Sequence, residues 1–133
     1  IMWEHCGVVR HGEALSKGLE KIQELKAALP HIDVRPDSEG FEDLMLAFDL
    51  EGSIMSAEST LLGAKMRKES RGAHQREDYP DLDSKEGVNY RVKLEADGRL
   101  MVQPHALAPL NKELKAIVEQ TDEITDFAGK LLE

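Results

Sequence analysis

Arginine, histidine and carboxylate crowd together in ESRGAHQREDYP, residues 69–80, where Arg71, His74 and Arg76 precede Glu77 and Asp78. Side chains of these types could do two kinds of chemistry. A histidine among arginines and carboxylates can move protons. Guanidinium forks can pair with carboxylates in a bidentate manner. Lys65, Arg67 and Lys68 lie just upstream, so the stretch belongs to a basic island in a chain of net charge −9. A structural account covers much of the pattern. Cations at a helix C-terminus are stabilised by the negative end of the macrodipole, by about 0.3–1 kcal/mol each. Arg71 and Arg76 also have Glu69, Glu77 and Asp78 at hand as ion-pair partners. That account leaves the crowding, and the presence of His74, unexplained. A docking surface for another domain explains both.

Other chemistries find less support. The histidines are His5, His11, His31, His74 and His105. None pairs with another at helical spacing, and no cysteine pair joins them, whereas a zinc site needs three or four convergent ligands. Asp81 and Asp83 in DLDSKEG carry a fragment of a calcium loop, but the full pattern is absent and a solvated acidic turn is the expectation. No glycine-rich phosphate loop is present. Cys6 adjoins His5 without a third partner, and is expected to be a small buried hydrophobe. A single cysteine cannot form an internal disulfide, so a reducing compartment is compatible. The charge of −9 argues against nucleic acid or an anionic membrane as partner. No apolar run approaches the length of a bilayer span, and no signal peptide is recognisable.

The elements that must position these residues follow from periodicity. The chain has 133 residues, 41% hydrophobic and 32% charged, enough for one domain with a core. Aromatics are only 5%, so aliphatic and methionine side chains must fill that core. IMWEHCGVVR reads as the last turns of a helix ending near Gly7 or Gly12. Its apolar start is expected of a fragment cut from a longer protein, with its first helix truncated. Leu15, Leu19, Ile22, Leu25 and Leu29 predict a helix over 13–29, stopped by Pro30. Asp37 or Ser38 would cap a second, long helix. Its stripe of Phe41, Leu44, Phe48, Met55, Leu62 and Met66 predicts roughly 30 residues and about 45 Å, to near Ser70. Gly52 and Gly63 on it would let a neighbour approach closely, and Gly72 fits a C-terminal cap. Val88, Tyr90, Val92 and Leu94 alternate with polar residues, and Asp97-Gly98 follows, which predicts a β-hairpin that must rest on something else. Leu110, Leu114, Ile117, Thr121, Ile124, Ala128 and Leu131 form a heptad seam. It would pack against the chain's own helices, or join a second copy as a homodimer. The expected organisation is one mainly α domain, with a helical bundle over 1–70, a signature loop and hairpin over 71–105, and a C-terminal helix over 106–133.

ESRGAHQREDYP closely resembles a signature of the succinate dehydrogenase and fumarate reductase flavoprotein subunits. Met2, Trp3, Gly7 and Arg10 resemble the family's MW-x-x-x-G-x-x-R segment. The long helix leading into AKMRKESRGAHQRED and the hairpin entered by Asn89 and Tyr90 are also similar, so the resemblance covers about residues 1–105. It implies an up-and-down, spectrin-like three-helix bundle with an appended hairpin, the C-terminal domain of a longer flavoprotein. The resemblance further implies FAD in the parent and none in this fragment, which would not be catalytic alone. The implied partners are the upstream FAD-binding and capping domains and an iron–sulfur subunit. A cytoplasmic setting attached to the membrane through partners follows, on the matrix side in a mitochondrion. Arg71, His74, Arg76, Asp78 and Trp3 are the expected domain-interface residues, with no catalytic, cofactor or metal site. L-aspartate oxidase and adenylylsulfate reductase flavoproteins are relatives of similar architecture. The acidic helix over 109–133 departs from the family's usual Pro-rich basic tail. The rival reading is a free-standing helical interaction module.

Overall fold

The computed structural model describes residues 1–35, 41–83 and 87–119. Leu15 and Ile22, spaced two helical turns apart, are turned inward by helix α2 (Gly12–Ala28). Helix α3 (Glu42–Met66) meets them with Ile54, Leu61 and Ala64. A one-turn helix, α1 (Met2–His5), adds Met2 and the adjoining Cys6 to the same core. Leu15 and Leu61 are fully buried, each worth about 1.5–3 kcal/mol relative to exposure. Helices α2 and α3 run antiparallel, with Gly18 opposite Leu61 and with Gln23 and Lys26 reaching Glu58. A Cβ at Gly18 would stand 2.9 Å from both His5 Cβ and Leu61 Cδ2, so this glycine sets how closely the three helices approach.

Helix α2 starts and stops as its sequence predicts. His11 Nδ1 accepts from Glu13 N at 3.2 Å as the cap, and Pro30 falls in a 3₁₀ turn, Leu29–His31, that ends the element. The N-terminus differs from expectation. Helix α1 ends at His5, and Val9–Arg10 forms strand β1, parallel to β2 (Gln75–Arg76), with Arg10 opposite Arg76. Glu77 N donates to Arg10 O at 2.9 Å, extending that pairing.

Helix α3 corrects three expectations. It ends at Met66 rather than near Ser70, because Arg67 turns extended (ψ 108°) and the freed carbonyls are taken up by an arginine side chain. Gly72 has φ +57° but caps no helix; it sits in the tight turn between Arg71 and His74. The stripe that meets α2 is Ile54, Glu58, Leu61 and Ala64, while Phe41 and Phe48 of the expected stripe are 61% and 76% exposed. Apolar residues surround much of α3, so periodicity does not select its inner face. Nothing lies within 4 Å of a Cβ built on Gly52 or Gly63, so no neighbour within the described chain uses them.

The hairpin forms where the alternation places it. Strands β3 (Val88–Leu94) and β4 (Leu100–Ala106) pair antiparallel in full register, Val92 opposite Val102, around Gly98 at φ +81°. It rests on the end of α3 through Arg67, which donates to Val88 O at 3.0 Å and lies 4.9 Å over the Tyr90 ring. Residues 112–119 form a last described helix, α4, capped by Asn111 Oδ1 accepting from Leu114 N at 2.8 Å. The expected caps Asp37 and Ser38, and the seam residues Thr121, Ile124, Ala128 and Leu131, lie outside the described residues. No described helix is long and apolar enough to cross a membrane.

Candidate functional site

The segment after α3 folds into two arginine–carboxylate centres. In the first, Glu69 is 1% exposed. Arg67 Nη1 donates to its Oε1, Arg71 Nε to Oε1 at 3.0 Å, and Arg71 Nη2 to Oε2 at 2.9 Å. The Asp83 backbone N adds a bond to Oε2 at 3.1 Å. The Arg71 bonds, followed by those of Arg67 and the Asp83 amide, hold the Glu69 carboxyl at about 2, well below its usual 4.5. A carboxylate so bound ties three points of the loop into one unit.

In the second centre, Arg76 is 3% exposed. Its Nε and Nη2 grip Asp78 Oδ1 and Oδ2 at 2.7 Å each, and its Nη1 donates to the carbonyls of Ala64 and Arg67 at 2.9 Å. Asp78 Oδ2 in turn accepts from Gly12 N at 3.0 Å, at the first residue of α2. The arginine thus closes the C-terminus of α3 and the carboxylate closes the N-terminus of α2. Each charge meets the helix pole of opposite sign. The Arg76 bonds, then the Gly12 amide, hold the Asp78 carboxyl below the usual carboxylate range. A Cβ at Gly12 would stand 2.9 Å from Asp78 Oδ2, so the clamp also requires that glycine.

His74 lies between the centres. Arg10 Nη1 stands 2.7 Å from His74 Nδ1, and Nε2 stands 3.4 Å from Arg67 O. A guanidinium only donates, so Nδ1 accepts and Nε2 carries the proton. Burial, then the charges of Arg10, Arg76 and Arg67, push the imidazole below its usual value and keep it neutral near pH 7. The turn below it is shut by reciprocal backbone bonds between Arg71 and His74, at 2.8 and 3.0 Å. Ser70 Oγ receives Arg76 N at 2.9 Å and donates to Tyr79 O at 2.9 Å.

The predicted residues therefore divide. Arg71, His74, Arg76 and Asp78 share one corner, where Arg76 and Asp78 spend their bonds inside the chain. Trp3 stands at its outer edge, 88% exposed, in an apolar hollow shared with Met2, Val8, Ala73 and Gln75. Sequence reasoning offered Glu69 as an ion-pair partner, and Arg71 does take it. It missed that Glu69 is buried at the centre of the loop and shared with Arg67, and it missed the bonding role of Arg10. The alternation R-K-E-S-R, with an arginine two residues either side of Glu69, was a usable signal for the first. A two-residue parallel strand leaves no periodic trace, so nothing pointed to Arg10 meeting His74. Glu58 was also missed; it is 6% exposed on α3 and bound by Gln23 at 2.7 Å and Lys26 at 2.8 Å. Among the described residues, no three His, Cys, Asp or Glu side chains are grouped to hold a metal ion.

Residues 1–113 match the family described as fumarate reductase flavoprotein C-term. The chain is 37% identical over 120 residues to the succinate dehydrogenase flavoprotein subunit of Rickettsia bellii, an alignment covering 87% of this chain and 20% of that protein. It is 40% identical over 91 residues to the fumarate reductase flavoprotein subunit of Haemophilus influenzae, covering 68% of this chain and 15% of that one. Among solved structures, a quinol–fumarate reductase with menaquinol molecules superposes with a TM-score of 0.73 at 29% identity, over 84% of this chain and 20% of the other. The chain thus spans about a fifth or less of the length of these relatives.

Proposed function

The chain belongs to the fumarate reductase flavoprotein C-terminal family, and from that membership we propose that it supports the FAD-binding domain of a succinate:acceptor oxidoreductase. The family match over residues 1–113 carries this reading. The parent would exchange a hydride between FAD and a dicarboxylate, with electrons passing to an iron–sulfur subunit. It would sit on the cytoplasmic side of a membrane, or the matrix side in a mitochondrion, held there by partner subunits.

Among the described residues, the N-terminus of α2 does not fit the phosphates of a flavin dinucleotide. A helix N-terminus is the natural seat for a dinucleotide's phosphates. At α2 that seat is already filled by the Asp78 carboxylate, which takes the Gly12 amide. FAD is accordingly assigned to the part of the parent beyond these residues, and no catalytic step is assigned to this chain. Its contribution is mechanical: the Arg76–Asp78 clamp and the Glu69 centre stiffen the corner that presents Trp3 and Arg71 outward, towards the flavin domain.

The test uses the full-length parent. Its visible spectrum is recorded, succinate is added, and the protein is precipitated with acid. Bleaching of a flavin band by succinate supports the reading, and a parent without flavin ends it.

One observation favours a second role. Leu110, Leu114 and Ile117, the described residues of the 109–131 seam, are about half exposed. A second copy of the chain would cover them, as in a coiled coil. Sedimentation should then show a mass that rises with concentration in the wild type and not in Leu114→Glu. A strict monomer across the range would remove homodimerisation.

A further inference from the structure

A cleft of about 400 Å³ opens between α3 and the hairpin, lined by Arg10, Ser59, Thr60, Arg67, His74, Asn89 and Tyr90 among others. Its size falls within the range of small-molecule sites. Its charge is unusual for this chain. With 26 Asp and Glu residues against 17 Lys and Arg, acidic side chains predominate, yet none of those among the described residues lines this cleft. Arg76 is matched by Asp78, and Glu69 is shared by Arg67 and Arg71. Arg10 has no carboxylate partner among the described residues. Its Nε donates to Gly7 O at 3.0 Å and one Nη1 hydrogen goes to His74, so the guanidinium is held in place with its other donors uncommitted.

We propose that this cleft is a binding site for a small carboxylate, received by the guanidinium of Arg10. Arg67 adds positive charge at the cleft wall but few donors, because it already serves Glu69 and Val88 O and lies over Tyr90. Ser59 and Thr60 donate their hydroxyl hydrogens to Met55 O and Ser56 O at 2.8 Å each, which leaves the Asn89 amide as the neutral donor. The Nδ1 lone pair of His74 is taken up by one Arg10 hydrogen, so it is not left to repel an anion. A planar, two-oxygen anion suits an anchored guanidinium better than a spherical one does. Every residue named in the site belongs to this chain.

The probe is malonate, with malonamide as its uncharged counterpart, titrated into the 133-residue chain at constant ionic strength. The readouts are the Arg10 Nε–H and Asn89 side-chain resonances. Malonate should shift both saturably, with half-saturation on the order of millimolar, and malonamide should not. Arg10→Gln should weaken binding by about tenfold or more. Arg35→Gln, which removes a charge from an exposed residue elsewhere, should leave it unchanged. If Arg10→Gln fails to fold, the wild-type comparison of malonate with malonamide still decides. Linear, unsaturable shifts with malonate, or equal shifts with both probes, would overturn the proposal.

Discussion

Arg76 serves two geometries at once. One edge of its guanidinium matches the Asp78 carboxylate, and Nη1 reaches the carbonyls that end α3. A lysine ammonium is a point charge and cannot hold both edges. Removing one partner of a buried pair costs about 3–5 kcal/mol, because the other charge is stranded. Arg76→Met should therefore destabilise the chain by about that amount in urea unfolding. Arg99→Met removes an exposed pair with Asp97 and should leave the urea midpoint almost unchanged. Equal effects would show that the clamp contributes no more than a surface pair. The same centres set the pH response. Glu69, His74 and Asp78 all have folded-state values below their ordinary ones, so the unfolded chain binds more protons and stability rises with pH. The His74 contribution is present above its ordinary 6.5 and is lost as pH falls from there. The Glu69 contribution is present above 4.5 and is lost as pH falls towards about 2. Urea midpoints measured from pH 8 to pH 3 (roughly the span of these two windows) should fall with acid. Replacing His74 by Gln should flatten the upper window, and Glu69→Gln the lower one. Unchanged slopes in both variants would place the acid response elsewhere.

Helices α2 and α3 carry glycines of opposite meaning. At Gly18 an added Cβ meets His5 and Leu61 at 2.9 Å, and both are packed. Gly18→Ala should cost about 1–3 kcal/mol through overpacking. Gly63 sits in open space within α3, so Gly63→Ala should stabilise the isolated chain by about 0.5–1 kcal/mol through helix propensity. Thermal unfolding of the two variants should shift in opposite directions. Shifts of the same sign would mean that helix approach is not set at Gly18. This contrast also shows what the sequence makes legible. Helix α2 has a single apolar face, so its span, its stop at Pro30 and its buried Leu15 and Ile22 follow from spacing. The hairpin follows from strict alternation and Asp97-Gly98. Phe41 just before α3, and Leu44, Met45, Leu46, Phe48 and Leu50 within it, spread apolar residues round most of its first turns, so its inner side was misassigned. Glycine spacing likewise favoured Gly52 and Gly63, whereas the close approach is at Gly18, which only the crossing of three elements reveals. At the site, the cluster of Arg71, His74, Arg76 and Asp78 was visible because those residues are neighbours in sequence. Arg10 and Gly12 joined it through contacts more than sixty residues apart, beyond any local signal.

At the scale of the whole molecule, the charge of −9 keeps the chain soluble in the colloidal sense while several apolar areas remain open. Trp3 is 88% exposed, Val8 68% and Val9 55%; Trp3 and Val8 share a hollow with Ala73 and Gln75, and Val9 pairs with Gln75, next to the Arg76 of the clamp. Scattered exposed hydrophobes need no explanation, but Trp3 and Val8 open into one hollow beside the Arg71–His74 turn, and grouped apolar exposure is what a docking face requires. A tryptophan at such a face is the residue type that most often dominates binding energy. The two settings of the chain then make opposite demands on Trp3. In the isolated chain it packs against little, so Trp3→Ser should change stability by less than about 0.5 kcal/mol. In the parent polypeptide the same change should remove about 2 kcal/mol or more of domain docking, read as earlier loss of flavin on heating. Lys112→Ala, on an exposed residue remote from the corner, serves as the control in both settings. A Trp3 variant that is neutral in the parent as well would mean that the flavin domain docks elsewhere. A variant that already unfolds the isolated chain would mean that Trp3 belongs to this domain's own packing. Neutral alone and costly in the parent is the outcome that a surface built for another domain must give.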